Sequence, residues 1–100
     1  MRERIRSEKS IQNSVMKYLK KVPDSWFCKI SDKYMAGVPD IIGCYKGYYI
    51  AIELKTEKGK VAPIQHWVHE QIRKAHGVIW VCTSVEEVKK HLADYEKTLS

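Results

Sequence analysis

The stretch from Gly37 to Lys55 holds the residues best suited to chemistry. It reads Gly37-Val38-Pro39-Asp40, then an apolar run broken by Lys46-Gly47, then Glu53-Leu54-Lys55. Asp40 and Glu53 stand thirteen positions apart, and Lys55 follows two later. Charged groups in a β-prone, apolar stretch are costly unless paired, hydrogen-bonded or bound to a metal. Two converging carboxylates repel by about 4 kcal/mol at 4 Å and an effective dielectric constant near 20. An ammonium offsets that repulsion in part, and a divalent cation offsets it fully. The set therefore suits hydrolysis of a phosphate ester. The carboxylates would hold magnesium, which polarises the phosphate and helps ionise water. Lys55 would position that water or steady the developing negative charge.

Convergence requires a hairpin. Asp40 to Tyr45 and Tyr48 to Lys55 read as strands, with Lys46-Gly47 as the tight turn between them. Alternation puts Tyr49, Ala51, Glu53 and Lys55 on one face and Ile50, Ile52 and Leu54 on the other. The turn fixes the register, so the end of the later strand lies opposite the start of the earlier one and Asp40 meets Glu53 and Lys55. Before the hairpin, Ser7 to Lys20 reads as a helix with Ile11, Val15 and Leu19 as its stripe, Ser7 as cap and Glu8 in the first turn. Trp26 to Ser31 reads as a strand with Trp26, Cys28 and Ile30 facing one way. After the hairpin, Pro63 opens a second helix with the stripe Ile64, Trp67, Val68, Ile72 and Ala75, which Gly77 ends. Val78 to Cys82 is an apolar strand. Ser84 and Glu87 form a capping box for a last helix with Val85, Val88, Leu92 and Tyr95 inward. The order α-β-β-β-α-β-α predicts an α/β fold, a four-stranded mixed sheet flanked by helices.

Length and composition bound the rest. The 100 residues make one domain, 1–100. An apolar fraction of 44% and a charged fraction of 30% are those of an ordinary soluble protein. No apolar run approaches a membrane span, and Met1-Arg2-Glu3-Arg4-Ile5-Arg6 is too charged for a signal peptide. The expected location is the cytoplasm. The net charge of +6 suits a polyanionic partner. Cys28, Cys44 and Cys82 form no Cys-x-x-Cys and are expected to be buried, reduced thiols. There is no internal repeat, low-complexity segment or linker.

Pro39-Asp40…Glu53-Leu54-Lys55 resembles the PD-(D/E)XK nuclease signature, and the element order matches that restriction-endonuclease-like core. The similarity extends to the VRR-NUC branch through Ser7-Glu8-Lys9-Ser10-Ile11-Gln12, Gly37-Val38-Pro39-Asp40-Ile41-Ile42, Pro63-Ile64-Gln65 and Ser84-Val85-Glu86-Glu87-Val88. It covers nearly the whole chain, as in a stand-alone, phage-type copy. The resemblance implies an endonuclease dependent on Mg2+ or Mn2+, with kinship to Holliday-junction resolvases that act as homodimers on branched DNA. It implies that Asp40, Glu53 and the backbone carbonyl of Leu54 hold the metal. Glu8 would complete the acidic cluster directly or through water, and by periodicity it points inward with Ile11. Gln65 would hydrogen-bond near Lys55 or a phosphate. Ala62 departs from the pattern, because a side-chain cap is expected before Pro63.

The remaining polar residues read more plainly. Lys33, Lys58 and Lys60 flank the motif and are candidate contacts to the DNA backbone, giving affinity without sequence reading. His66 and His69, three apart on a helix, lack a third zinc ligand and read as a surface pair. His76 and His91 read as exposed, Trp67 and Trp80 as core. Two alternatives stay open. One is a non-catalytic DNA-binding module of the same fold. The other is a sequence-specific restriction-type nuclease, for which no extra segment is available to read the major groove.

Overall fold

Ser7 caps the first helix, its hydroxyl accepting the Ser10 N–H at 3.1 Å. Helix α1 spans Glu8–Leu19, followed by β1 (Ser25–Lys29), β2 (Ile41–Tyr45), β3 (Tyr48–Leu54), α2 (Pro63–Lys74), β4 (Val78–Cys82) and α3 (Val85–Leu99). The structure, a computed structural model, describes residues 6–31 and 34–99. The element order is the one expected from the sequence.

The strands lie in the order β1-β2-β3-β4, antiparallel except for β4, which runs parallel to β3. Parallel neighbours cannot be joined by a hairpin, and α2 supplies the crossover. Lys46 and Gly47 have φ of 51° and 87°. Those are the positive values a two-residue hairpin turn needs to match the strand twist. Tyr45 consequently pairs with Tyr48, and Ile41 with Ile52.

One face of the sheet forms the core. Ile41, Tyr45, Ile50, Ile52, Leu54, Trp80 and Cys82 pack against Ile11, Val15 and Leu19 of α1 and Val88 and Leu92 of α3. Fully burying such a branched apolar side chain contributes about 1.5–3 kcal/mol. The same burial pushes the Cys82 thiol up to about 12, leaving it inert. At the start of α3, Ser84 Oγ accepts the Glu87 N–H at 3.2 Å. The Glu87 carboxylate reaches back to the N–H and hydroxyl of Thr83, which hold its carboxyl below the usual range.

Among the described residues the opposite face carries α2 as its one helix, and that helix does not present the stripe expected from periodicity. Val68 and His69 are the buried residues of α2, whereas Ile64 and Trp67 are 47% and 56% exposed. The helix is rotated by about one residue from its most apolar orientation, because it faces Glu53 and must supply polar partners there. Gly77 does not take the left-handed conformation that ends α2, since His76 does, with φ 69°. Gly77 is instead required by close approach, because a Cβ there would lie 2.8 Å from Ile72 Cγ2. Across β1, β2 and β3 the outer part of this face is open. Trp26, Cys44 and Tyr49 sit side by side in register, and all three are exposed. Cys44 is therefore not a buried thiol. The strand patterning of Cys44 is apolar, but no helix among the described residues covers it.

Gly37 seats the loop that delivers Asp40. Its φ is +85°, and a Cβ would meet the Ile64 carbonyl oxygen at 2.7 Å and Val68 Cγ2 at 2.9 Å. Gly37→Ala is expected to cost about 1–2 kcal/mol from the left-handed backbone alone, and more from the clash. Thermal unfolding followed by circular dichroism checks this, and an unchanged midpoint would mean that the loop does not seat on α2.

Candidate active site

Asp40 is the last residue before β2, and Glu53 lies at the inner end of β3. Both are buried, at 6% and 1% exposure. Continuing the register from Ile41–Ile52 by one residue sets Asp40 against Glu53 on the α2 face. The backbone locks this arrangement. Asp40 Oδ2 accepts the Leu54 N–H at 2.8 Å, and the Asp40 carbonyl accepts the Ile30 N–H at 2.7 Å. In a strand the N–H and C=O of one residue point to the same side. The Leu54 carbonyl is therefore turned toward the Asp40 strand as well.

Glu53 is surrounded by donors. Its Oε2 lies 4.0 Å from Lys55 Nζ and accepts from Gln65 Nε2 at 3.3 Å. Its Oε1 lies 3.4 Å from His69 Nε2. Lys55 shares the Glu53 face by alternation, and its N–H is tied to the Cys82 carbonyl at 3.0 Å, which fixes the strand end. The Gln65 amide does two jobs. Its Oε1 accepts the Ala62 N–H at 2.8 Å and closes the start of α2, which Ala62 leaves without a side-chain cap. Its Nε2 reaches Glu53. Gln65 thus meets the glutamate rather than the lysine.

His69 is the residue the sequence reading missed. It is 1% exposed, not a surface partner of His66. Burial, then the positive neighbours Arg73, His66 and Lys55, hold its pKa below the usual histidine value. A neutral imidazole with hydrogen on Nε2 donates to Glu53. The available signal was general: a glutamate inside an apolar strand needs donors, and Gln65 and His69, one turn apart on the crossover helix, can supply two.

Several expected participants lie elsewhere. Glu8 is exposed in the first turn of α1 and does not point inward with Ile11. Side chains at a helix start lean past its N-terminal end, and there Glu8 overshoots the core. Among the described residues no three His, Cys, Asp or Glu side chains form a metal-holding group, so Glu8 does not join Asp40 and Glu53. Lys58 and Lys60 are exposed in the loop after β3. Lys33 lies outside the described residues. The donor set still suits a hard cation. Two buried carboxylates on paired strands, with a backbone carbonyl turned toward them, leave the remaining positions to water and phosphate, as magnesium prefers.

A sheet with this hairpin and crossover, and a buried acid pair beside a lysine, defines a restriction-endonuclease-like α/β fold. No family model and no curated protein matches the chain. Solved structures do. One, a VRR_NUC domain, shares 26% identity with a TM-score of 0.75 over 88% of this chain and 96% of its own. Another, a VRR_NUC domain protein, has a TM-score of 0.78 at 20% identity over 94% of this chain and 91% of its own. The chain has the fold of these VRR_NUC domains over most of its length.

His69→Leu removes a donor from a buried carboxylate and is expected to destabilise the fold by about 1–3 kcal/mol. His69→Gln, which can place an amide nitrogen near the lost Nε2, is expected to recover most of that. Denaturant titrations of both variants test the contact, and equal losses would show that His69 only fills space.

Proposed function

We propose that the protein is a metal-dependent endodeoxyribonuclease that hydrolyses phosphodiester bonds in branched DNA, of Holliday-junction or flap type. The observation that carries this reading is the buried Asp40–Glu53 pair with Lys55 at the end of the same strand. Asp40, Glu53 and the Leu54 carbonyl hold Mg2+ or Mn2+. The bound ion supplies Lewis acidity toward the phosphate and lowers the pKa of water. Lys55, 15% exposed in its side chain and 4.0 Å from Glu53, presents an ammonium that orients the attacking water and balances charge on the phosphate oxygens. Gln65 and His69 keep Glu53 aimed at the cation. Glu8 would enter only through water, from its exposed place on α1. Lys58 and Lys60 contact the DNA backbone from the loop after β3, and Lys33, outside the described residues, is a further candidate for such a contact. No helix among the described residues is long and apolar enough to cross a membrane.

The nuclease reading is favoured over a non-catalytic DNA-binding module because binding alone has no use for two buried carboxylates. They repel phosphate and cost desolvation energy. Asp40→Asn and Lys55→Ala are each expected to lower cleavage of forked and four-way DNA in Mg2+ by at least 100-fold, while circular dichroism stays native. Full activity in both would discard the site.

A homodimer follows from the same reading. Support comes from the row Trp26, Cys44 and Tyr49, exposed side by side across β1, β2 and β3. Light scattering is expected to give twice the monomer mass for the wild type and the monomer mass for Trp26→Glu with Tyr49→Glu. A monomeric wild type at micromolar concentration would refute the dimer.

A further inference from the structure

A second concentration of charge lies away from the carboxylates. Lys17, Lys20, Lys21 and Lys29 line an open groove of about 550 Å³ together with Asn13 and Met16, and among the described residues no carboxylate lines it. Among the described residues, none of these four lysines takes part in an ion pair. The C-terminal end of α1 offers its dipole to Lys17, Lys20 and Lys21. That does not account for Lys29, which comes from a different element, the edge strand β1. Four ammonium groups gathered from a helix and a strand repel one another unless a polyanion neutralises them together.

The position of the groove identifies which polyanion. Lys29 pairs with Ile41, whose side chain is in the core beneath α1. Paired residues project to the same face, so Lys29 faces α1, whereas Asp40 and Glu53 face α2. The groove and the carboxylates therefore lie on opposite faces of the sheet. Laterally they are close, because β1 and β3 are two strand spacings apart, about 10 Å. A straight duplex resting on the α2 face does not reach round the β1 edge. A branched molecule does, with one arm on each face.

We propose that the groove formed by Lys17, Lys20, Lys21 and Lys29 binds the phosphodiester backbone of a second DNA arm, while the arm to be cut lies on the carboxylate face. This rests on the nuclease reading above. It deepens that reading by assigning recognition of branched DNA to a surface outside the active site. In B-DNA, phosphates follow one another at about 3.4 Å along each strand, so a groove of this size spans several, and each contact contributes about 0.9 to the slope of log affinity against log salt.

The test is binding in a chelator, without cleavage, by fluorescence anisotropy of the full chain. The probes are a fluorescein-labelled four-way junction and a linear duplex of the same arm sequence. For the variant with Lys17, Lys20, Lys21 and Lys29 all changed to Gln, junction affinity is expected to fall at least tenfold and its salt slope by about 2 to 4. Affinity for the linear duplex should stay within twofold. The corresponding Lys→Arg variant should bind the junction like wild type, which separates charge from fold. Unchanged junction binding, or equal losses on both DNAs, would overturn the groove assignment while leaving the active-site reading intact. Junction cleavage that survives Lys55→Ala would overturn the active-site reading, whatever the groove does.

Discussion

The register of one hairpin governs this molecule. A two-residue turn at Lys46 and Gly47, both with positive φ, pairs Ile41 with Ile52. One residue further, it sets Asp40 beside Glu53. A slip of a single residue would send Ile50, Ile52 and Leu54 to the wrong face and carry Glu53 into the core. The apolar alternation of β3 and the acid pair are therefore enforced together, and the hydrophobic cost of a slip protects the geometry of the site. The Leu54 N–H bond to Asp40 Oδ2 at 2.8 Å adds a lock at the open end of the hairpin, where fraying would otherwise begin.

The two faces of the sheet divide the labour. The face under α1 and α3 is filled by branched aliphatic side chains and supplies most of the folding energy. The face under α2 is only half covered, and the covered half is where the polar residues are buried. A charged strand position is tolerable there because one helix provides two donors, Gln65 and His69, at a spacing of one turn. Each oxygen of Glu53 meets a donor in consequence, at 3.3 and 3.4 Å. Removing the partner of such a buried charge is usually worse than never having had the pair, so α2 and β3 are coupled through the polar contacts of Gln65 and His69 with Glu53.

How much of this was legible follows from the physics of each element. The hairpin, the acid pair with its lysine, and the helix starts at Ser7, Pro63 and Ser84 depend on local chemistry, and the sequence declares them. The rotation of α2 does not. Ile64 and Trp67 are the more apolar choices, and periodicity favours them; the observed face carries Gln65 and His69 because tertiary contact with Glu53 outweighs hydrophobicity. Glu8 illustrates the converse. Its spacing with Ile11 placed it on the inward stripe, but a stripe near a helix start extends beyond the body it packs on. Cys44 and Trp26 share this origin: alternation reports which side a residue faces, not whether another layer covers that side.

The choice of lysine at position 55 fits this division of labour. An arginine would present a broad planar fork and prefer bidentate capture of the Glu53 carboxylate. That would occupy the oxygens expected to face a cation. Lys55 instead stays 4.0 Å from Glu53 Oε2, beyond a good hydrogen bond, with its side chain partly exposed at the end of β3. A compact, hydrated ammonium at that distance lessens the carboxylate repulsion without consuming its lone pairs and remains able to donate to water or a phosphate oxygen. The rigid donors Gln65 and His69 hold Glu53 from the helix side, and the flexible one meets solvent. The strand thus ends with its least constrained charge on the side where the proposed nuclease reading puts the substrate.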